Sequence, residues 1–180
     1  MSTSTLSTST LSTKTRGISG GVPADQRVGK YLIFQLGKEE FGTSVLKVRE
    51  IMKLQDITAV PQTPSFVKGV INLRGKVIPV IDLRAKFGMP HQDYTERTCI
   101  VVVRTQSADG DLAVGIVVDG VVEVLTLVDA DIEDTPDFGQ GAVSPCLLGM
   151  AKIKGKVKIL LDMDEVINRK ELQGMDALLR

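Results

Sequence analysis

Apolar positions in this chain come in short runs of four to eight, cut by glycine, proline and small polar clusters. That pattern predicts strands rather than long helices. Order is expected to begin near Lys30. Tyr31-Leu-Ile-Phe-Gln-Leu reads as a first strand, and Gly37 to Glu40 as a polar turn. Phe41 to Ile51 carries a second strand region, in which Val45, Val48 and Ile51 recur at spacing three and leave a helical turn or a bulge open. Asp56 to Val60 reads as a third short strand, stopped by Pro61 and Pro64, and Ser65 is placed to cap a brief helical turn through Phe66 to Lys68. A hairpin follows, with Gly69 to Leu73 and Lys76 to Ile81 on either side of a tip at Arg74-Gly75. Asp82 is positioned as N-cap of a short helix that Gly88 and Pro90 end.

Past a polar link at 88 to 96, the pattern starts again. Cys99 to Val103, Leu112 to Val118 and Gly120 to Val128 read as strands, with a turn at Ser107 to Asp111. A second hairpin turns at Lys154-Gly155, and Asp162 is placed to cap a C-terminal helix over 163–178.

The resemblance between halves is literal. Gly69, Leu73, Arg74, Gly75, Lys76, Val77 and Asp82 meet Gly149, Ile153, Lys154, Gly155, Lys156, Val157 and Asp162, eighty residues later and without a gap. Upstream, Gly42, Val45, Val48, Glu50 and Ile51 meet Gly115, Val118, Val121, Glu123 and Val124 at an offset of seventy-three. Thr63-Pro-Ser-Phe meets Thr135-Pro-Asp-Phe, so an insertion is expected around Phe138 to Leu147. Three blocks in one order imply two copies of one small fold. Each copy offers about five strands in roughly 60 to 70 residues, a size that is marginal alone. The expected fold is therefore mainly β: two five-stranded barrels sharing an apolar seam. The first lies at about 30–88 and the second at about 97–167, and whether strands cross between them is left open. Pro79, which has no N–H for a ladder, is expected on an edge or bulge.

Composition narrows the function. Hydrophobic residues make up 43% of 180, ample for a core, but aromatics only 4%. Lys plus Arg and Asp plus Glu stand at 22 each, without the basic excess of a nucleic-acid binder. No apolar run approaches the ~18 residues of a membrane span. Residues 1–29 form a Ser/Thr-rich tail expected to be disordered. The single histidine, His91, sits in the polar link, and Cys99 and Cys146 lie far apart in apolar surroundings; together they assemble no metal or catalytic cluster. Gly69 to Val77 is one residue too long for a phosphate loop and has Val77 where Ser or Thr is needed. Gly139-Gln-Gly141 lacks the third glycine of a dinucleotide turn, Ser144 standing in its place. No catalytic, cofactor or metal residues are expected. What remains is surface: Arg74 at a hairpin tip suits a carboxylate partner, either in another protein or in Glu50 of the same chain.

The run from Gly69 to Arg84, preceded by Leu46-Lys-Val-Arg-Glu-Ile and Pro64-Ser-Phe-Val-Lys, resembles the CheW family of chemotaxis coupling proteins over about residues 29 to 175. The resemblance implies two SH3-like five-stranded barrels and a non-catalytic cytoplasmic adaptor without a cofactor. Its partners would be the cytoplasmic tip of methyl-accepting chemotaxis receptors, the regulatory domain of the histidine kinase CheA, and other CheW copies in rings. No nucleic acid and no direct membrane insertion are implied, and the place of work is the inner face of the membrane. By motif, Val48 and Glu50 match receptor-facing positions, Lys68 and Gly69 kinase-facing ones, and Arg74 the coupling arginine. Asn72, Gly75, Pro79 and Asp82 match positions read as structural. The chain is too short for the receiver domain of a CheV protein or the catalytic domains of the kinase. A barrel scaffold of another chemosensory-like pathway is the alternative, and a hydrolase acting through scattered carboxylates the remote one.

Overall fold

The computed structural model describes residues 27–106, 110–135 and 146–167. Eleven strands and two short helices follow one another along it. They are β1 (Gly29–Leu36), β2 (Glu39–Ser44), β3 (Val48–Lys53), β4 (Val67–Leu73), β5 (Lys76–Asp82), α1 (Leu83–Lys86), β6 (Cys99–Thr105), β7 (Leu112–Val118), β8 (Gly120–Leu127), β9 (Ile132–Glu133), β10 (Leu147–Ile153), β11 (Lys156–Leu161) and α2 (Met163–Val166). One sheet has the order β8-β1-β2-β11-β10-β9 and the other β3-β6-β7-β5-β4.

The repeat explains both orders at once. Matching β1 with β6, β2 with β7, β3 with β8, β4 with β10 and β5 with β11 converts one order into the other. An isolated bridge between Thr58 and Val70 takes the place of β9. Registers agree as well: Gly42 lies opposite Leu160 in the parallel β2–β11 pair, and Gly115 opposite Val80 in the parallel β7–β5 pair. A Cβ on Gly42 would stand 2.9 Å from Leu160, and one on Gly115 2.9 Å from Ile100, so both copies need a bare backbone there.

Neither sheet comes from one half of the chain. β1 and β2 leave their own copy and join β8 to β11, while β6 and β7 join β3 to β5. The boundaries 30–88 and 97–167 therefore describe the repeat in sequence, and the sheets form by exchange of the first two strands of each copy. The strand counts are six and five, with β9 only two residues long.

Exchange accounts for the unbroken apolar runs. In β1, Tyr31 and Ile33 pack with Leu127, Ile132, Ala151 and Leu160 inside the first sheet, while Leu32, Phe34 and Leu36 face a larger core. In β6, Ile100 and Val102 pack with Ile71, Ile78 and Val80, while Val101 and Val103 face that same larger core. Strands buried on both faces read as continuous hydrophobic segments. The larger cluster draws on both sheets and both helices, so it is the seam that holds them together. Each fully buried Leu, Ile or Phe there contributes about 1.5–3 kcal/mol.

Several local expectations need correction. Asp56 to Val60 supplies only the Thr58–Val70 bridge, because Pro61 and a turn at Gln62, with φ of 61°, divert the chain. Ser65 and Phe66 form a turn, and Val67 already lies in β4. The 45–51 spacing resolves into both readings: a 3-10 turn over Val45–Lys47, capped by Ser44, and a bulge at Arg49 where β3 pairs β6. Pro79 is no edge residue, since β5 lies between β7 and β4. It marks where a ladder stops: β5 pairs β7 from Val80 onward, whereas β11 begins one rung earlier with Ile159 opposite Phe41.

Folded structure reaches back into the expected tail. Arg27 is 7% exposed, and its guanidinium donates to Asp134 Oδ1 at 2.7 Å and to the Leu148 carbonyl at 3.3 Å. Both capping aspartates behave as expected, Asp82 accepting from Arg84 N at 2.9 Å and Asp162 from Asp164 N at 3.0 Å. α2 is shorter than expected, because Ile167 leaves helical geometry with ψ of 68°. Positions 168–178, the tail to residue 26, the turn at 107–109, and the 136–145 segment with its Gly139–Ser144 motif and most of the expected insertion lie outside the described residues.

Candidate interaction surface

The β4–β5 hairpin carries most of the singled-out residues, and its two ends differ. At the tip, Arg74 and Gly75 have φ of 53° and 86°, the left-handed pair that a two-residue primed turn requires. Asn72 braces it by accepting from Gly75 N at 2.9 Å through Oδ1. The Arg74 side chain is 79% accessible, and Nη1 lies 3.0 Å from Oε2 of Glu50, itself 22% accessible. β3 thereby reaches the hairpin tip across the sheet. Lys154 and Glu123, the matched residues of the other copy, form no ion pair among the described residues. The first tip is thus the one with an arginine held in place by a half-buried carboxylate.

Exposed apolar side chains lie near that pair along the chain. Ile51, next to Glu50, is 47% exposed, and Val77, on the strand leaving the tip, is 50% exposed. Leu46 of the 3-10 turn is 93% exposed. In sequence, Glu50 flanked by Val48 and Ile51 already suits an interface, with strand packing the competing reading; the exposure of Val77 and Leu46 is not legible there, since a strand valine gives no sign of which face it will occupy until the register is known. The repeat keeps this exposure: Val124 and Val157, the counterparts of Ile51 and Val77, are 54% and 50% exposed.

Val48 is half-buried and packs against the shared core, so part of its role is structural. Lys68 and Gly69 stand at the opposite end of β4, roughly 20 Å from the tip at the rise of a strand. Nζ of Lys68 lies 3.7 Å from Oδ2 of Asp82 and 6.0 Å from the centre of the Tyr94 ring. Gly69 sits at the β4 bulge with φ of 144°, and a Cβ there would come within 2.0 Å of the Thr58 carbonyl oxygen. Its glycine is demanded by the backbone of the same chain. Asp82 is buried and acts as cap. The structure therefore assembles Glu50, Arg74, Asn72 and Gly75 at one end, with Val48 behind them, and leaves Lys68, Gly69 and Asp82 at the other.

His91 is exposed beside Asp93. Among the described residues no group of His, Cys, Asp or Glu could hold a metal ion. Burial pushes the Cys99 thiol up from its ordinary value, against a smaller opposing effect from a backbone hydrogen bond with Val121, which makes it a poor nucleophile. Among the described residues no helix is long and apolar enough to cross a membrane.

Comparison with known proteins shows the family. Residues 30–171 match the family model of the CheW-like domain. The chain is 39% identical over 154 residues to a chemotaxis protein CheW of Klebsiella aerogenes, covering 85% of this chain and 90% of that one. It is 32% identical over 145 residues to a CheW of Bacillus subtilis, covering 81% and 90%. Among solved structures it resembles the scaffolding protein TtCheW from Thermoanaerobacter tengcongensis, with a TM-score of 0.69 and 32% identity over 78% of this chain and 93% of that one.

Proposed function

The chain belongs to the CheW family, and we propose that the surface around Arg74 is where it couples receptors to the kinase. It is a chemotaxis signal-transduction adaptor. Its partners on this reading are the cytoplasmic tip of methyl-accepting chemotaxis receptors and the regulatory domain of the histidine kinase CheA, with further copies of the chain in rings. It works at the inner face of the membrane through the receptors, without entering the bilayer and without catalysis.

The observation that carries this reading is the tip itself. An exposed guanidinium pairs with Glu50 at the end of a hairpin that also exposes Val77, and β3 exposes Ile51 on the face opposite Glu50. An arginine amid partly exposed aliphatic groups is the composition of an interface centre, where charge fixes orientation and apolar area supplies affinity. Matched aliphatic faces at Val124 and Val157 give the second sheet a similar surface, which suits contact with two neighbours of like fold. The Lys68 and Gly69 end enters through the shape of the hairpin, Gly69 by fixing the bulge and Lys68 by pairing with Asp82.

The test is binding of Arg74→Glu to a purified receptor signalling domain and to CheA. We expect weakened capture of at least one partner with a thermal midpoint close to that of the wild type. Normal capture of both partners would remove Arg74 from the interface, and an unfolded variant would make the charge structural.

A further inference from the structure

Two copies of one fold in one chain create an ambiguity. Each first hairpin, β1–β2 or β6–β7, has two similar edges to join, β5 of the first copy or β11 of the second. Most apolar contacts do not distinguish them, because Gly42 and Gly115 meet Leu160 and Val80 in the same register. The observed answer is exchange, with β2 on β11 and β7 on β5.

Charges do distinguish the edges. Next to the Phe41–Ile159 rung, Glu40 of β2 pairs with Lys158 of β11, whose side chain is only 5% accessible. At the matched place in the other sheet stand Ala113 of β7 and Ile78 of β5, both packed in its apolar core. With each hairpin on its own copy, Glu40 would face Ile78 and Lys158 would face Ala113. The Lys158 ammonium would then be buried without a partner and the partly buried Glu40 carboxylate would lose its own, a heavy cost.

An outer pair repeats the logic with the signs reversed. Arg84 of α1 pairs with Asp119, in the turn between β7 and β8. Asp119 also accepts from Gly37 N at 2.6 Å. Asp164 of α2, eighty residues after Arg84, lies 2.6 Å from Lys47, in the turn between β2 and β3 and one residue past Leu46, the match of Asp119. Without exchange, Arg84 would approach Lys47 and Asp164 would approach Asp119, like charge against like in both places.

We propose that these three ion pairs form an electrostatic address that directs each first hairpin to the opposite copy and so enforces the exchanged topology. The inner pair excludes the wrong edge by desolvation and the outer pairs by repulsion. Apolar complementarity supplies the stability, and the charges supply the choice. Such a device is expected where two docking sites in one molecule are otherwise alike.

The test erases the address while keeping a complementary partner for every native contact. A fourfold variant of the full chain combines Glu40→Ala and Lys158→Ile, which copies the Ala113–Ile78 pair, with Lys47→Asp and Asp164→Lys, which reverses the outer pair. In the native arrangement the apolar residues still pack and the reversed charges still attract. In the unexchanged arrangement the new carboxylate at 47 would now attract Arg84, and the new ammonium at 164 would attract Asp119. A control, Glu40→Lys with Lys158→Glu, reverses the inner pair and leaves its discrimination intact.

Each protein is unfolded in urea, refolded by dilution, and its amide resonances are recorded. We expect one set of resonances for the wild type and the control, and a second set for the fourfold variant. A single wild-type-like set from the fourfold variant overturns the proposal. Should that variant precipitate, Glu40→Ala with Lys158→Ile decides alone. It should keep the thermal midpoint of the wild type yet return a smaller fraction of its signal to the native set than the control does. Equal fractions would reduce the ion pair to an ordinary packing contact.

Discussion

Gly69→Ala separates the fold from the interface most sharply. The backbone at Gly69 has φ of 144°, a region that residues with a side chain avoid, and adopting it costs about 1–3 kcal/mol. The added methyl would lie 2.0 Å from the Thr58 carbonyl oxygen and 2.7 Å from its carbon. Both are backbone atoms, so the segment around Thr58 must move. That movement breaks the reciprocal bonds Thr58 N to Val70 O and Val70 N to Thr58 O, each 2.9 Å. At about 1 kcal/mol for each bond, the total loss is about 3–5 kcal/mol. For a domain with a stability of about 5–15 kcal/mol this is a large fraction. At a slope of about 2 kcal/mol per molar, the urea midpoint should fall by about 2 M. Two related substitutions calibrate the reasoning. Gly149→Ala meets the Glu133 carbonyl oxygen at 2.9 Å and the movable guanidinium of Arg27 at 3.1 Å, so it should cost less. Gly75→Ala enters open space at φ of 86° and should cost only the conformational strain, about 1 kcal/mol. Urea unfolding followed by circular dichroism ranks the three. A Gly69→Ala midpoint within about 0.3 M of the wild type would refute the argument and return Gly69 to the partner surface.

Further expectations follow from the same contacts. Arg74→Ala should change stability by no more than about 1 kcal/mol, because its ion pair is largely exposed; the charge exchange Arg74→Glu with Glu50→Arg should restore the pair but not partner binding, measured by titration calorimetry. Asp82→Ala should cost about 1–2 kcal/mol in chemical denaturation through the loss of its cap to Arg84 N, and more if Lys68 is left unneutralised. Burial raises the Tyr31 phenol above its ordinary value, with Arg27 lowering it and Asp162 raising it to smaller extents. Its contribution is therefore complete below the unfolded value of about 10 and is lost as pH rises through the raised one, so the wild type should lose stability above about pH 10 more steeply than Tyr31→Phe. At neutral pH that variant should cost about 1 kcal/mol from the hydrogen bond to the Arg27 carbonyl. Cys99 should alkylate slowly at pH 8 in the folded protein and at the rate of an ordinary thiol in urea, as mass spectrometry of the labelled peptide will show.

What the sequence discloses is what local chemistry decides. Arg74-Gly75 and Lys154-Gly155 announce hairpin tips because few residues accept left-handed backbone, and all four adopt it. Asp82 and Asp162 announce helix starts because a carboxylate satisfies backbone N–H groups within two residues. The repeat announces two like sheets. It cannot announce their partners, since Gly42 and Gly115 fit Leu160 and Val80 alike, and only the placement of Glu40 and Lys158 breaks the tie. Pro79 misled for a related reason: an interior strand tolerates proline when its second ladder begins one residue later. At the site, the Glu50–Arg74 pair was one of two readings open for that arginine. Ile51 beside Glu50 suits either an interface or strand packing in sequence, and the exposure of Val77 followed only from the register of β5. Gly69 looks the same in sequence whether a partner or Thr58 lies against it, and only the close approach of two distant backbone segments decides.

The most direct test of the central claim is reconstitution. Purified receptor signalling domain and CheA are combined with and without this chain, and kinase autophosphorylation is followed with labelled ATP. Coupling by surface contact predicts a change in kinase output that depends on the receptor and is diminished by Arg74→Glu. Kinase output that is identical with and without the chain would contradict it.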